Sequence, residues 1–336
     1  YCLLPIAYCL LPIAYCLLHC EKRIVYMSLI KDLLQQEQLS ATFEADILPH
    51  YEQLASYVAA QHDAKKATLL VAVNGAQGTG KSTLALFLQA YLKTKGKRAA
   101  VLSIDDLYYP YAKRQQLAKD THPLLQTRGV PGTHELVLGQ SVINQLLAAK
   151  KGGSVLLPAF DKAQDDRKPE GQWPSVEGAI DVILLEGWCV GATAMPSADL
   201  VLPVNQLEAD EDAEQVWRSY MNDQLSNHYE QFFNQFDLLV MLKAPSFDCV
   251  RKWRALQEEK LARKMQGIKE QAEKANNGAS IAPMKGLMNS NALNRFMMHY
   301  ERLTTHMLSA MPTHANVLIT LAQDHSIQQV SYRDEE

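Results

Sequence analysis

One stretch restricts the fold of this chain more than any other: Leu69-Leu70-Val71-Ala72-Val73-Asn74-Gly75-Ala76-Gln77-Gly78-Thr79-Gly80-Lys81-Ser82-Thr83. A continuous apolar run ends in G-x-x-x-x-G-K-S and passes directly into an amphipathic segment, Leu84 to Leu92. Strand, glycine loop and helix in that order make a phosphate-binding P-loop. Gly75, Gly78 and Gly80 permit backbone conformations that a side chain would block, so successive N–H groups from Gly75 through Ala76, Gln77, Gly78, Thr79, Gly80 and Lys81 to Ser82 and Thr83 converge on phosphate oxygens. The positive end of the helix dipole adds to that attraction. Lys81 is expected to reach the β- and γ-phosphates, and the Ser82 hydroxyl to take a Mg²⁺ position.

Such a loop belongs to a βαβ unit, and the rest of the chain repeats that unit. Strand-like runs occur at Thr68–Asn74, Ala99–Ile104, Ser154–Pro158, Ala179–Leu185, Leu238–Leu242 and Asn316–Leu321. Helical segments lie between most of them: Lys81–Lys93, Glu135–Lys150, Ala213–Phe232 and Ser246–Lys274. The alternation predicts an α/β fold with three layers, a mainly parallel sheet covered by helices on both faces. Helical spacing from Ser28 to Ala60 predicts an N-terminal extension at 27–65 on a single domain spanning 27–336. Pro110–Thr133 is polar and long for a connection, which predicts a functional loop. The segment 246–290 is basic up to Lys274 and carries glutamates at i,i+4 spacing; it reads either as a solvated helix face or as a lid over the phosphates.

Two strand ends carry acids. Leu102-Ser103-Ile104-Asp105-Asp106-Leu107-Tyr108 places two carboxylates where open α/β sheets bind ligands. Asp105 is a candidate base for an acceptor hydroxyl, with a helix cap as the plainer alternative. Ile183-Leu184-Leu185-Glu186-Gly187-Trp188 ends in an acid that fits a Mg²⁺-holding role. Two loops, Arg128-Gly129-Val130-Pro131-Gly132-Thr133-His134 and Pro158-Ala159-Phe160-Asp161-Lys162…Asp166-Arg167, read as polar turns when taken alone.

Taken together, the P-loop with K-S, S-I-D-D-L-Y, R-G-x-P-G-T-H, P-x-F-D-K…D-D-R and L-L-E-G-W resemble the D-glycerate 3-kinase family, which is similar to uridine kinase, phosphoribulokinase and pantothenate kinase in its core. The match is strong from Leu69 to Gly191, and Leu107 departs from the family's usual Phe. The resemblance implies ATP and Mg²⁺ as cofactors and γ-phosphoryl transfer to a hydroxyl of a small acid, D-glycerate first. It implies Lys81, Asp105 and Arg167 as catalytic residues, with Arg167 stabilising the transferring phosphate, and Ser82 and Glu186 as metal ligands. Asp106, Tyr108, Arg128, His134 and Asp161 would line the acceptor site. A kinase for a nucleoside, pantothenate or a sugar, and an ATP-binding switch or assembly factor, are the other readings.

Composition sets the surroundings. A net charge of −4 over 336 residues argues against a general nucleic-acid or membrane-surface binder. Four of the six cysteines lie in the first twenty residues, so no disulfide framework is expected and a reducing cytoplasm is the natural compartment. Tyr1–Ala7 recurs unchanged at Tyr8–Ala14; with no basic segment before it and two prolines within it, the segment 1–26 reads as a non-structural repeat tail preceding a start at Met27.

Overall fold

A computed structural model describes residues 30–35, 37, 39, 43–275 and 288–333. The repeat tail, the Met27 start and the Asn/Gly-rich part of the 246–290 insertion lie outside the described residues. In chain order the strands are β1 (Leu69–Gly75), β2 (Ala99–Ser103), β3 (Ser154–Leu156), β4 (Phe160–Asp161), β5 (Asp166–Arg167), β6 (Ser175–Glu177), β7 (Val182–Gly187), β8 (Leu238–Lys243), β9 (Val317–Leu321) and β10 (Ile327–Tyr332). The helices are α1 (Leu48–Lys65), α2 (Lys81–Thr94), α3 (Tyr111–Asp120), α4 (Leu136–Ala148), α5 (Gln206–Glu211), α6 (Val216–Gln224), α7 (Glu230–Phe233), α8 (Phe247–Ala275) and α9 (Ser290–Ala310).

The main sheet runs β10-β9-β8-β1-β7-β2, parallel throughout except at the β10 edge. It is the mainly parallel α/β sheet of a P-loop NTPase. Every residue of β1 and β7 is buried, as expected for central strands of continuous apolar sequence covered on both faces. β1 lies between β7 and β8, within the sheet and away from both edges. The chain leaves β1 toward β2 and later returns to β8 on the other side. This reversal opens the crevice at the carboxyl ends of the strands.

Helix α2 starts at Gly80 and buries Leu84, Ala85, Phe87, Leu88 and Leu92 against the sheet. Helix α1 enters through Pro49 and packs Tyr51, Leu54 and Val58 beside α2, with Phe43, Tyr51 and Phe87 forming an aromatic cluster. Helix α9 begins at Asn289, whose side chain accepts from Ala292 N–H, and buries Met297, Tyr300, Leu303 and Met307. One hydrophobic core joins residues from Ile30 to Leu321, and a smaller cluster around Leu125, Trp217 and Met221 supports the 123–130 segment.

Four sequence expectations change. Ser154–Leu156 leaves the main sheet and pairs antiparallel with β6, because only Val155 of the three is buried and a one-faced strand does not suit a two-sided sheet. Pro110–Thr133 is not a bare loop: it holds α3 and a 3₁₀ turn, Pro123–Gln126. The buried position of α3 is Arg114, so an apolar stripe never signalled the helix. The helix predicted over Ala213–Phe232 runs without interruption from Val216 to Phe233 but widens to a π-helical turn at Leu225–Tyr229. Strand β10 adds an edge that the sequence pattern does not announce, since Ile327-Gln328-Gln329-Val330 shifts register instead of alternating cleanly. Among the described residues no helix is long and apolar enough to cross a membrane.

Candidate active site

The pairing register brings the acids to the P-loop. Val73 lies opposite Glu186, Asn74 opposite Gly187, and Ser103 opposite Glu186 on the other side. Asp105, two residues past Ser103, therefore emerges at the same sheet edge as Gly75 and Glu186. Asn74 stitches this edge by donating to Trp188 O and Val190 O at 3.1 and 2.8 Å.

Gly78 and Gly80 have φ of +84° and +88°, the left-handed region that glycine tolerates. Gly75 serves another purpose. Its φ is ordinary, but a Cβ there would lie 2.4 Å from Thr79 Oγ1. Thr79 is buried and donates to Ala76 O at 2.8 Å, so its hydroxyl folds the loop. Trp253 of α8 packs against Gly78 and stacks on His325, whose Nε2 lies 3.0 Å from Gly78 O.

Ser82 Oγ donates to Glu186 Oε1 at 3.1 Å, and Lys81 Nζ stands 3.9 Å from Oε2. Glu186 Oε2 is buried and makes no hydrogen bond among the described residues. A buried, under-satisfied carboxylate oxygen between a lysine and a serine hydroxyl fits the Mg²⁺ of a bound nucleotide.

Asp105 has a side chain 23% exposed. Oδ1 accepts from the Tyr108 hydroxyl at 2.8 Å and Oδ2 from Lys162 Nζ at 2.7 Å. Burial pushes this carboxyl up, yet Lys162 and Lys81 with the two hydrogen bonds outweigh it and hold the group well below the usual range. Asp106 behaves oppositely. Burial, with repulsion from Asp105 and Glu186, raises it to about 6 despite the hydrogen bond from Phe160 N–H. That bond ties the Asp105 turn to strand β4.

His134 is 2% exposed and stacks on Tyr108 with centroids 4.6 Å apart. The R-G-V-P-G-T-H loop carries it there by pairing back on the Asp105 turn: Tyr109 N–H donates to Thr133 O, and Glu135 N–H to Leu107 O. Burial lowers His134 to about 4, so the ring is neutral. Gly132 N–H donates to the Tyr229 hydroxyl, which lies 2.7 Å from His134 Nδ1. Of the hydroxyl and Nδ1, one donates to the other, and His134 Nε2 is buried without a hydrogen-bond partner among the described residues.

Arg128 pairs with Asp165, donates to Lys162 O at 3.4 Å, and lies over the Phe160 ring. Asp161 accepts from Ala163 and Gln164 N–H, capping the β4–β5 turn. Arg167 bonds Glu135 at 2.6 Å and Tyr108 O at 2.7 Å, leaving its Nε buried and unbonded among the described residues. The structure thus gathers Lys81, Ser82, Asp105, Tyr108 and Glu186 at one edge, with Asp106, Arg128, His134, Asp161 and Arg167 bracing the walls around them. On α8, Arg254 pairs with the buried Glu258, which also accepts from Met288 N–H, whereas the pair of Arg263 with Glu259 is solvent-exposed.

Four contributors escape sequence reasoning. Tyr229 and Tyr300 come from distant helical segments, with Tyr300 donating to Arg128 O. Arg114 is fully buried, binding the carbonyls of Tyr109, Gln126 and Asp165, in a helix that reads as solvent-facing. Lys162 was visible only as a letter of F-D-K; nothing local pointed it at Asp105.

No family model matches the chain. The uncharacterized kinase mug58 of Schizosaccharomyces pombe is 32% identical over 202 residues, covering 57% of this chain and 70% of that protein. The chloroplastic D-glycerate 3-kinase of Arabidopsis thaliana is 32% identical over 194 residues, 55% of this chain and 40% of that enzyme, so the chain spans less than half of the plant protein's length. The solved D-glycerate 3-kinase of Cryptococcus neoformans shares the fold, with a TM-score of 0.63 at 22% identity over 84% of this chain and 99% of that one.

Proposed function

We propose, for a chain that belongs to the family of P-loop kinases holding D-glycerate 3-kinase and the mug58 kinase, that the acceptor is a small hydroxy acid, most simply D-glycerate. The chain is an ATP-dependent phosphotransferase with an alcohol acceptor. The observation carrying the acceptor reading is the placement of Asp105: a part-exposed carboxylate at the P-loop edge, among cations suited to an anionic molecule.

Phosphoryl transfer asks little covalent work of a protein and much positioning. The loop amides from Gly75 to Thr83 and the Lys81 ammonium would hold phosphates, and Ser82 with Glu186 would hold Mg²⁺. When bound, Mg-ATP supplies the transferable phosphoryl group and a divalent charge that offsets the developing negative charge. Asp105 aligns the acceptor hydroxyl and takes its proton at a carboxylate oxygen. Its depressed pKa keeps it ionised at neutral pH, so its main contribution is orientation. Tyr108 fixes the carboxylate from the buried side, and His134, neutral beneath Tyr108, holds that ring. Arg128 would add positive potential on the acceptor side, and Arg167, held by Glu135 and Tyr108 O, would add to the positive field around the transferring phosphate.

The test is an ADP-release screen of the full chain with hydroxy acids, nucleosides, pantothenate and sugars. D-glycerate is expected to give the strongest signal. Turnover with another acceptor and none with D-glycerate would overturn the acceptor and leave the kinase.

A further inference from the structure

The basic side chains around Asp105 differ in how firmly they are tied. Arg114 has no exposed side-chain surface and is held by Asp165 and three carbonyls. Arg128 shares Asp165 and also binds a carbonyl. Arg167 is held by Glu135 and the carbonyls of Leu107 and Tyr108. Lys162 is 61% exposed, and among the described residues its ammonium hydrogen-bonds Asp105 Oδ2 alone. The backbone beneath it is anchored: Asp161 caps the turn, and Asp165 is pinned by Arg114 and Arg128. Only the flexible four-carbon stem of Lys162 is free to swing.

Tyr108 is buried and Lys162 exposed, so Oδ1 is the inward oxygen of Asp105 and Oδ2 the cleft-facing one. Lys162 covers the oxygen that an acceptor hydroxyl needs. We infer that Lys162, more than Arg128, receives the acceptor's carboxylate, and that by exchanging Asp105 for that carboxylate it releases Oδ2 to the acceptor's hydroxyl. This rests on the small-acid reading above. The exchange keeps the ammonium paired throughout, carboxylate for carboxylate. A neutral polyol offers it no partner, so Oδ2 stays covered. Asp106 and Glu186 stand in the same field, and an acid entering among three carboxylates needs a cation that can move to it. Specificity for an acid is thereby built into the opening of the site.

The test compares full-length wild type, Lys162→Gln and Lys162→Arg with D-glycerate and with glycerol at saturating ATP. A charge-assisted hydrogen bond lost from the acceptor predicts a D-glycerate KM raised roughly 10–100-fold in Lys162→Gln. KM for ATP is expected to stay within about 3-fold, the glycerol kcat/KM not to fall, and Lys162→Arg to recover part of the loss. Calorimetry of D-glycerate binding with a non-hydrolysable ATP analogue is expected to show the same loss, and it reads the effect even if glycerol turns over too slowly. Equal losses for both acceptors, or unchanged D-glycerate affinity, would overturn the inference and make Lys162 only a latch on Asp105. Failure of the small-acid reading shows itself separately: wild type would then turn over no hydroxy acid at all, and both ideas fall.

Discussion

Gly187→Ala is a single methyl placed where fold and chemistry meet. A Cβ at Gly187 would lie 2.3 Å from Ile104 Cγ2 and 2.9 Å from Val190 Cγ2. Carbon atoms in contact prefer about 3.5–4.0 Å, so Ile104 and Gly187 must part by about 1 Å or more. Gly187 is fixed in the central ladder opposite Asn74, whereas Ile104 opens the short 3₁₀ turn Ile104–Leu107 at the end of β2. The turn yields, and the next residue along it is Asp105. Overpacking of this kind costs about 1–3 kcal/mol, a fall of roughly 2–10 °C in Tm. A misplacement of about 1 Å at a reacting group costs roughly 100-fold in rate. The expected result is a folded variant with near-normal ATP binding and kcat reduced about 100-fold, measured by ADP release and calorimetry. Ile104→Ala removes the clashing methyl, so the double variant should recover much of the lost rate in spite of its cavity. A Gly187→Ala enzyme within 3-fold of wild-type kcat, with unchanged Tm, would refute the reasoning.

Asp105→Asn keeps an acceptor for Tyr108 but loses the charge facing Lys162 and the acceptor hydroxyl; kcat should drop about 10²–10⁴-fold with ATP affinity retained, and near-normal turnover would remove Asp105 from its assigned role. Asp106→Asn still accepts from Phe160 N–H but cannot ionise. Because the native carboxyl is raised to about 6 from 3.8, wild type holds its proton longer than the unfolded chain and loses stability as pH rises from about 4 to about 6, by about 3 kcal/mol. Urea denaturation without Mg²⁺ should show the variant gaining on wild type across that window, and a pH-independent difference would contradict it. Arg114→Met removes a buried charge from Asp165 and frees three carbonyls, an expected loss of about 3–5 kcal/mol by denaturant titration; a loss under about 1 kcal/mol would mean water replaces the guanidinium.

The comparison of sequence with structure divides by the range over which residues act. β1, the glycine loop and α2 are contiguous, and their signal is an apolar run, glycines at fixed spacing and an amphipathic helix. Such local preferences are written in neighbouring residues, so the P-loop, the parallel sheet and the acids at strand ends are legible in the sequence. Strands β3 and β10 carry no such local signal, because a half-buried strand owes its place to the surface that receives it. The partners inside the site were out of reach for the same reason. The same spacing of Arg128, His134, Asp161 and Arg167 would serve ligand-facing or wall-bracing side chains equally well.

What the sequence alone determined, then, is local: a glycine loop between a buried strand and a helix, with the acids Glu186 and Asp105 at the ends of neighbouring strands. Tertiary structure decided who attends those groups. Lys162 reaches Asp105 across 57 residues and Tyr229 reaches His134 across 95. The buried His134 and Tyr229 pair because burial forces each polar group to find a partner in whatever element packs against it, Asp105 draws the exposed Lys162 by charge, and no local pattern encodes either element's arrival.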